Sequence, residues 1–414
     1  TTLLLPILLT ANPFLGPSER IYFCDAVKPS NRPPAAPSAH DASGLLKLSS
    51  RSRARINTLQ KQQRQRQPKL VPKPPRRELK PPFPNGVCGG TVLEIPPEET
   101  FGIDVNLANI NVMGDLILAP RPIKIWLPPG YHDNDDRPTR DGEENEDALR
   151  GQQGHPVLYV HDGQNAMEDT ESWTGASWRL MGALTRLADH QLIGNGQKKT
   201  SEKPMLPIVV LLPSAEGDLL PGIRRRHLEY GDVSLPFAQA HADFVALTVK
   251  PLVDNQFHSN PAPDQTFAMG SSLGGQASLH LLLRHGDKFG GAACLSPAFG
   301  PAILDQARKS RELLKEKRIY VDIGGDLDEI RVPTIDLFDH LTPQHWWNPG
   351  YFWLDTQLQG QVMSMRQALD EAGATYCFRQ YPGGRHNERA WAQRIDKPLI
   401  HLFSPAGLQG FDGF

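Results

Sequence analysis

An α/β fold, with a mostly parallel central sheet and helices on both faces, is what the sequence predicts, and three observations predict it. Short apolar runs recur after residue 120, among them 156–160 (PVLYV), 207–212 (PIVVLL) and 291–295 (GAACL). They are of strand length and too uniformly apolar to leave one face in water. Segments with helical spacing separate them, the alternation that builds parallel sheets. Third, the chain's excess of proline lies near its start, so one large domain, 85–414, follows an extended N-terminal arm, 1–84.

The arm comes first. Residues 28–84 are rich in Pro, Ser, Arg, Lys and Gln and have few large apolar side chains, so they cannot bury enough surface to offset the entropy of ordering. Within 47–80 the one acid is Glu78. A basic, acid-poor stretch behind the short apolar patch Leu3 to Leu9 resembles a targeting sequence, either plastid-type or secretory. It would equally suit an acidic protein partner, an RNA or a membrane surface, and a solvated linker is the plainer expectation. The chain opens on Thr1, as a processed product would, and no segment is long and apolar enough to span a bilayer. A net charge of −2 gives the whole molecule no electrostatic footprint for nucleic acid. The four cysteines have no paired spacing, which argues against a zinc cluster or a disulfide scaffold; Cys294 and Cys377 read as buried thiols.

In the domain, 90–95, 102–113 and 122–127 (PIKIWL) read as extended, and Pro128-Pro129-Gly130 closes the last of them. Residues 132–150 are dense in Asp and Glu without the order of a calcium loop, so a solvated insertion is expected and no metal site. The strand 156–160 runs into His161-Asp162-Gly163-Gln164-Asn165. Helices are expected over 177–192, 237–257, 361–372 and 388–403, with a further strand over 376–381.

The pivotal stretch is 265–282, QTFAMGSSLGGQASLHLL. Its strand, tight turn and helix carry Gly270-Ser271-Ser272-Leu273-Gly274, a G-x-S-x-G nucleophile elbow. The glycines are needed because a Cβ there would strike neighbouring backbone, and the serine is left strained at a helix N-terminus, where negative charge is favoured. Such a serine needs a base and an acid to orient that base. After strand 318–323 comes GGDLDE, where Asp328 is the expected acid and Asp326 the alternative. After strand 376–381 comes PGGRHNE, where His386 is the expected base. The oxyanion would be held by the N–H of Leu273 and by the N–H of Gln164, or else of Gly163, while His161 and Asp162 shape that loop.

With these residues in view, 123–403 resembles the esterase family of α/β hydrolases, the group that includes esterase D and the enterobactin esterases. The matching stretches include IWLPPGYHD, PVLYVHDGQNAMED, RRRHLEYGD, GSSLGGQASLHLLLRHGDKFGGAACLSPAF and PGGRHNERAW. The resemblance implies an α/β-hydrolase fold, a serine esterase working through Ser272 and His386, and no cofactor. The acid loop departs from the family's usual spacing, and 331–358 is longer than expected and holds Trp346, Trp347 and Trp353. These rings are expected to bind an aromatic or sugar-linked ester, or otherwise to pack on the domain. Acyl transfer would use the same parts, and a non-catalytic subunit anchored by the arm is the rival from another class.

Overall fold

The computed structural model describes residues 77–79, 87–101, 118–131, 154–172, 174–194, 205–220, 223–325 and 354–405. The chain divides at Arg76/Arg77 into two units, and every described residue belongs to the second. The sheet holds nine strands: β1 (Arg77–Leu79), β2 (Thr91–Ile95), β3 (Ile123–Leu127), β4 (Val157–His161), β5 (Ile208–Leu212), β8 (Thr266–Ser271), β9 (Gly291–Leu295), β10 (Arg318–Ile323) and β11 (Tyr376–Gln380), with β6 (Asp218–Leu220) and β7 (Ile223–Arg224) forming a separate hairpin. Their order is β1-β2-β3-β5-β4-β8-β9-β10-β11. The first three join antiparallel, as does β3 with β5, and the rest run parallel.

Every residue of β4, β5, β8 and β9 is buried. Alternate side chains serve opposite faces, as the two-residue period of a strand requires. Val157 and Tyr159 of β4 join one core with Val210, Ala268, Leu279 and Val362, while Leu158 and Val160 join the other with Val209, Phe267, Met269 and Leu399. A sheet wetted on neither face explains why these strands read as unbroken apolar runs. β1 is the exception: composition assigned it to the arm, but an edge strand has one ladder partner and can be polar, and Arg77–Leu79 pairs with Val92–Glu94 of β2.

The helices that matter below are α1 (Leu180–Asp189), α2 (Arg225–Tyr230), α3 (Leu273–Arg284), α4 (Pro301–Lys309), α5 (Leu354–Ala372), α6 (Glu388–Arg394) and α7 (Asp396–Phe403). The helix expected over 388–403 is thus two helices. α5 begins at Leu354, earlier than the apolar spacing indicated, because its first turn is anchored by a buried carboxylate, Asp355. The expected strand at 102–113 and the acidic stretch 132–150 lie outside the described residues. Cys88, Cys294 and Cys377 are unbridged; Cys294 is buried as expected, whereas Cys377 is half-buried. No described helix is long and apolar enough to cross a membrane.

Burial also makes the domain acid-sensitive. His161 and His280 are pushed down to about 4 by desolvation, and so is His401. Above the ordinary value of 6.5 each is neutral whether folded or not. Below it the unfolded chain takes up protons that the folded one refuses, so stability falls with pH until the folded value is reached. Calorimetry should record a Tm that drops steadily between pH 6.5 and 4, beyond what exposed carboxylates produce; a level Tm across that window would refute the neutral-histidine core.

Candidate active site

The candidate nucleophile sits where the elbow motif puts it, between β8 and α3. Ser272 has φ 55° and ψ −125°, a conformation that L-residues adopt only under restraint. Three backbone groups supply the restraint: Ser272 N–H donates to Leu295 O at 2.9 Å, and Ala298 N–H and Gly275 N–H each donate to Ser272 O at 3.1 Å. The flanking glycines are sterically required. A Cβ on Gly270 would overlap the backbone of Gly274, and one on Gly274 would lie 2.9 Å from Asp162 Oδ2.

That contact brings in the loop after β4. Asp162 takes a left-handed φ of 56° and opens a short 3-10 turn, Gly163–Asn165. Its carboxylate, 1% exposed, accepts from Arg226 Nε at 2.8 Å and Nη2 at 2.6 Å, a bidentate pair reaching from α2. Gln164 spends its side chain on the loop after β5: Nε2 donates to Ser214 Oγ at 3.0 Å, and Oε1 accepts from Ser214 N at 3.1 Å. The backbone amides of Gly163 and Gln164 lie in the first turn of that helix and Leu273 N opens α3, positions where no intrahelical acceptor exists. Beneath them His161 Nδ1 donates to Ser278 Oγ at 2.9 Å, and Ser278 donates in turn to Gly274 O at 2.9 Å. Desolvation holds this imidazole neutral, so it supports the loop and bears no charge.

The imidazole of His386 meets a carboxylate that sequence reasoning did not name. His386 Nδ1 donates to Asp355 Oδ1 at 2.7 Å, with both side chains at most 1% exposed. Asp355 Oδ2 accepts from Ser296 Oγ at 3.0 Å and from Gly324 N at 3.1 Å. The expected acids Asp328 and Asp326 lie outside the described residues, and the position on His386 Nδ1 is taken by Asp355. The correction has a simple cause. β10 ends at Ile323 and α5 opens at Leu354, and Asp355 in its first turn accepts from Gly324 N–H, so it lies beside the strand end though it does not follow it in sequence. A Cβ on Gly324 would strike Asp355 Oδ2 and would lie 2.7 Å from Gly384 O, so three separate stretches converge there. Trp346, Trp347 and Trp353 also fall outside the described residues.

The parts are joined through β9. Leu295 and Ala298 hold the backbone of Ser272, Ser296 between them holds Asp355, and Asp355 holds His386. This cluster stands at the carboxyl ends of the parallel strands, where open α/β sheets gather their ligands.

The profile of the family described as Putative esterase matches residues 145–402, more than half of the chain.

The chain belongs to this esterase family.

The α/β-hydrolase fold implied by the resemblance is the fold observed, and esterase chemistry is the family's. Solved structures similar to this esterase-family chain include a siderophore hydrolase from Aspergillus nidulans (18% identity, TM-score 0.42, covering 69% of this chain and 92% of that one). A ferulic acid esterase from Anaeromyces mucronatus is 15% identical, with TM-score 0.42 and coverage of 74% and 88%. An enterobactin esterase from Shigella flexneri is 16% identical, with TM-score 0.41 and coverage of 69% and 56%. No curated protein matches the sequence. Among the described residues of this family member no group of three or more His, Cys, Asp or Glu could hold a metal ion.

Sequence reasoning missed Asp355, Ser296 and Arg226. A signal existed for the first: an aspartate in the opening turn of a helix that follows an over-long connection is a carboxylate with a ready structural anchor. For the others the signal is tertiary, since each acts on a residue distant in the chain.

Proposed function

We propose that this esterase-family protein hydrolyses carboxylic esters through a covalent acyl-enzyme, with Ser272 as nucleophile, His386 as general base and acid, and Asp355 orienting His386. The observation that carries the reading is the buried Asp355–His386 hydrogen bond, linked through one turn to a serine in strained elbow geometry. A carboxylate on Nδ1 fixes the tautomer, so that Nε2 carries the lone pair. Nε2 takes the proton of Ser272 as Oγ attacks the ester carbonyl, and gives it to the departing alcohol. Water, deprotonated by the same nitrogen, then releases the acid and restores Ser272.

The tetrahedral intermediates need donors for their oxyanion, each worth about 3–4 kcal/mol of barrier. In this reading they are the N–H groups of Leu273 and Gln164. The side-chain link from Gln164 to Ser214 and the Arg226–Asp162 pair support this reading by tying that loop to the turn after β5 and to α2. Trp346, Trp347 and Trp353 would shape the preference for the ester's bulky group, an aromatic or sugar-linked moiety.

A fluorophosphonate probe tests the mechanism. Wild-type protein is expected to label on one serine, and Ser272→Ala to resist labelling while keeping its Tm; an unlabelled wild type, or labelling that survives in Ser272→Ala, defeats the assignment. A panel of acetyl, feruloyl and lactone esters then ranks the substrate, with feruloyl or lactone esters expected above acetyl.

A further inference from the structure

Ser296 directly follows β9 with a left-handed φ of 42°, a strained setting for a residue with a side chain. Its hydroxyl meets three groups: Asp355 Oδ2 at 3.0 Å, Arg394 Nη2 at 2.6 Å and Trp391 Nε1 at 3.2 Å. Guanidinium and indole nitrogens only donate, and an ionised carboxylate only accepts. The hydroxyl must therefore give its proton to Asp355 and receive from the other two, which uses its full capacity. All four side chains are buried.

The backbone around Ser296 holds the nucleophile at the same time. Leu295 O accepts from Ser272 N–H, and Ala298 N–H donates to Ser272 O. Behind this turn lies a second carboxylate. Asp322 Oδ1 is 3.1 Å from Arg394 Nη2 and 3.0 Å from Ser296 N, and its Oδ2 accepts from Tyr320 OH at 3.2 Å, which in turn meets Tyr381 OH. The charged and titratable groups facing the Asp355 carboxylate are thus His386 on one side and, through Ser296, Arg394 balanced by Asp322, with the two tyrosines beyond. Desolvation raises the proton affinity of Asp322, and Arg394 opposes it.

We infer that Ser296, polarised by Arg394, is a positioning residue for the reaction: it holds the orienting carboxylate from behind and ties it to the turn that grips Ser272. The inference rests on the reading of Ser272, His386 and Asp355 given above. A hydroxyl whose two acceptor sites are filled by donors is a better donor itself. It holds Asp355 by Oδ2 and leaves Oδ1 on the imidazole.

Two variants separate the hydroxyl from the backbone. Ser296→Ala and Ser296→Gly both remove the donor to Asp355, but glycine tolerates φ 42° where alanine does not, so the two should differ in Tm. Both are expected to lose kcat by about 10-fold, the scale of a small misplacement in an active site, with KM within about twofold of wild type. In both, the acidic limb of the kcat/KM profile should move up by about half a pH unit to one unit, because a carboxylate stripped of a donor holds the proton on its imidazole more tightly. A merely structural role would move Tm and leave the limb in place. Unchanged kcat and an unmoved limb in both variants, or wild-type kinetics in Ser296→Gly alone, overturn the inference. Fluorophosphonate labelling of wild type is run beside them: if wild type labels and the limb stays put, only Ser296 loses its role, whereas an unlabelled wild type removes the nucleophile itself.

Discussion

Asp355→Asn is expected to lower kcat by about 10⁴-fold with little change in KM, the size of effect that follows when an imidazole is left in the wrong tautomer. The geometry gives the reason. The Oδ2 position receives two donors, Ser296 Oγ and Gly324 N–H, so an asparagine must put its carbonyl oxygen there. Its amide NH2 then faces His386 Nδ1, which has to become an acceptor and send the ring proton to Nε2. A base already protonated where it should accept cannot take the proton of Ser272. Asp328→Asn, tested alongside on p-nitrophenyl acetate, is expected to stay within a few-fold of wild type. Loss of activity at 328 with retention at 355 would return the acid to the GGDLDE loop.

Arg226→Met is the second substitution with a large expected effect. Asp162 is 1% exposed, and its carboxylate has both fork contacts of Arg226 at 2.8 and 2.6 Å, so the apolar replacement strands a buried charge. Losing one partner of a buried pair costs about 3–5 kcal/mol; because the Arg226 side chain is 27% exposed, the lower end is expected here. The loop carrying Gln164 N–H also loses its tether to α2, and kcat should fall by about 10²-fold, toward the loss of one oxyanion donor. Arg226→Lys keeps the charge without the fork and should recover stability more than rate. If kcat is preserved in a folded Arg226→Met protein, as judged by thermal melting and assayed at the same temperature, the loop does not depend on this pair.

The contrast between what could and could not be read in advance follows from chain distance. β4, β5 and β9 were legible because strands buried on both faces are continuously apolar, and the elbow because its glycines answer a local steric demand at Gly270 and Gly274. His386 was legible as the histidine on a glycine-flanked strand end. The carboxylate on His386 Nδ1 was not, because the expectation looked for it directly after β10 in sequence, whereas Asp355 is next to β10 only in space. Ser296 and Arg394 are 98 positions apart, and Arg226 and Asp162 are 64 apart, so nothing local marks either pair. The edge strand Arg77–Leu79 was hidden by its own polarity.

A Cβ on Gly325, at φ +74°, would lie 2.7 Å from Thr356 N, so the turn after β10 and the first turn of α5 meet backbone to backbone. Asp355 is held by the Gly324 N–H and the Ser296 hydroxyl, one from each of two neighbouring strand ends. Added bulk at Gly324 or Gly325 would therefore press on the opening turn of α5 and shift the carboxylate from outside the site itself.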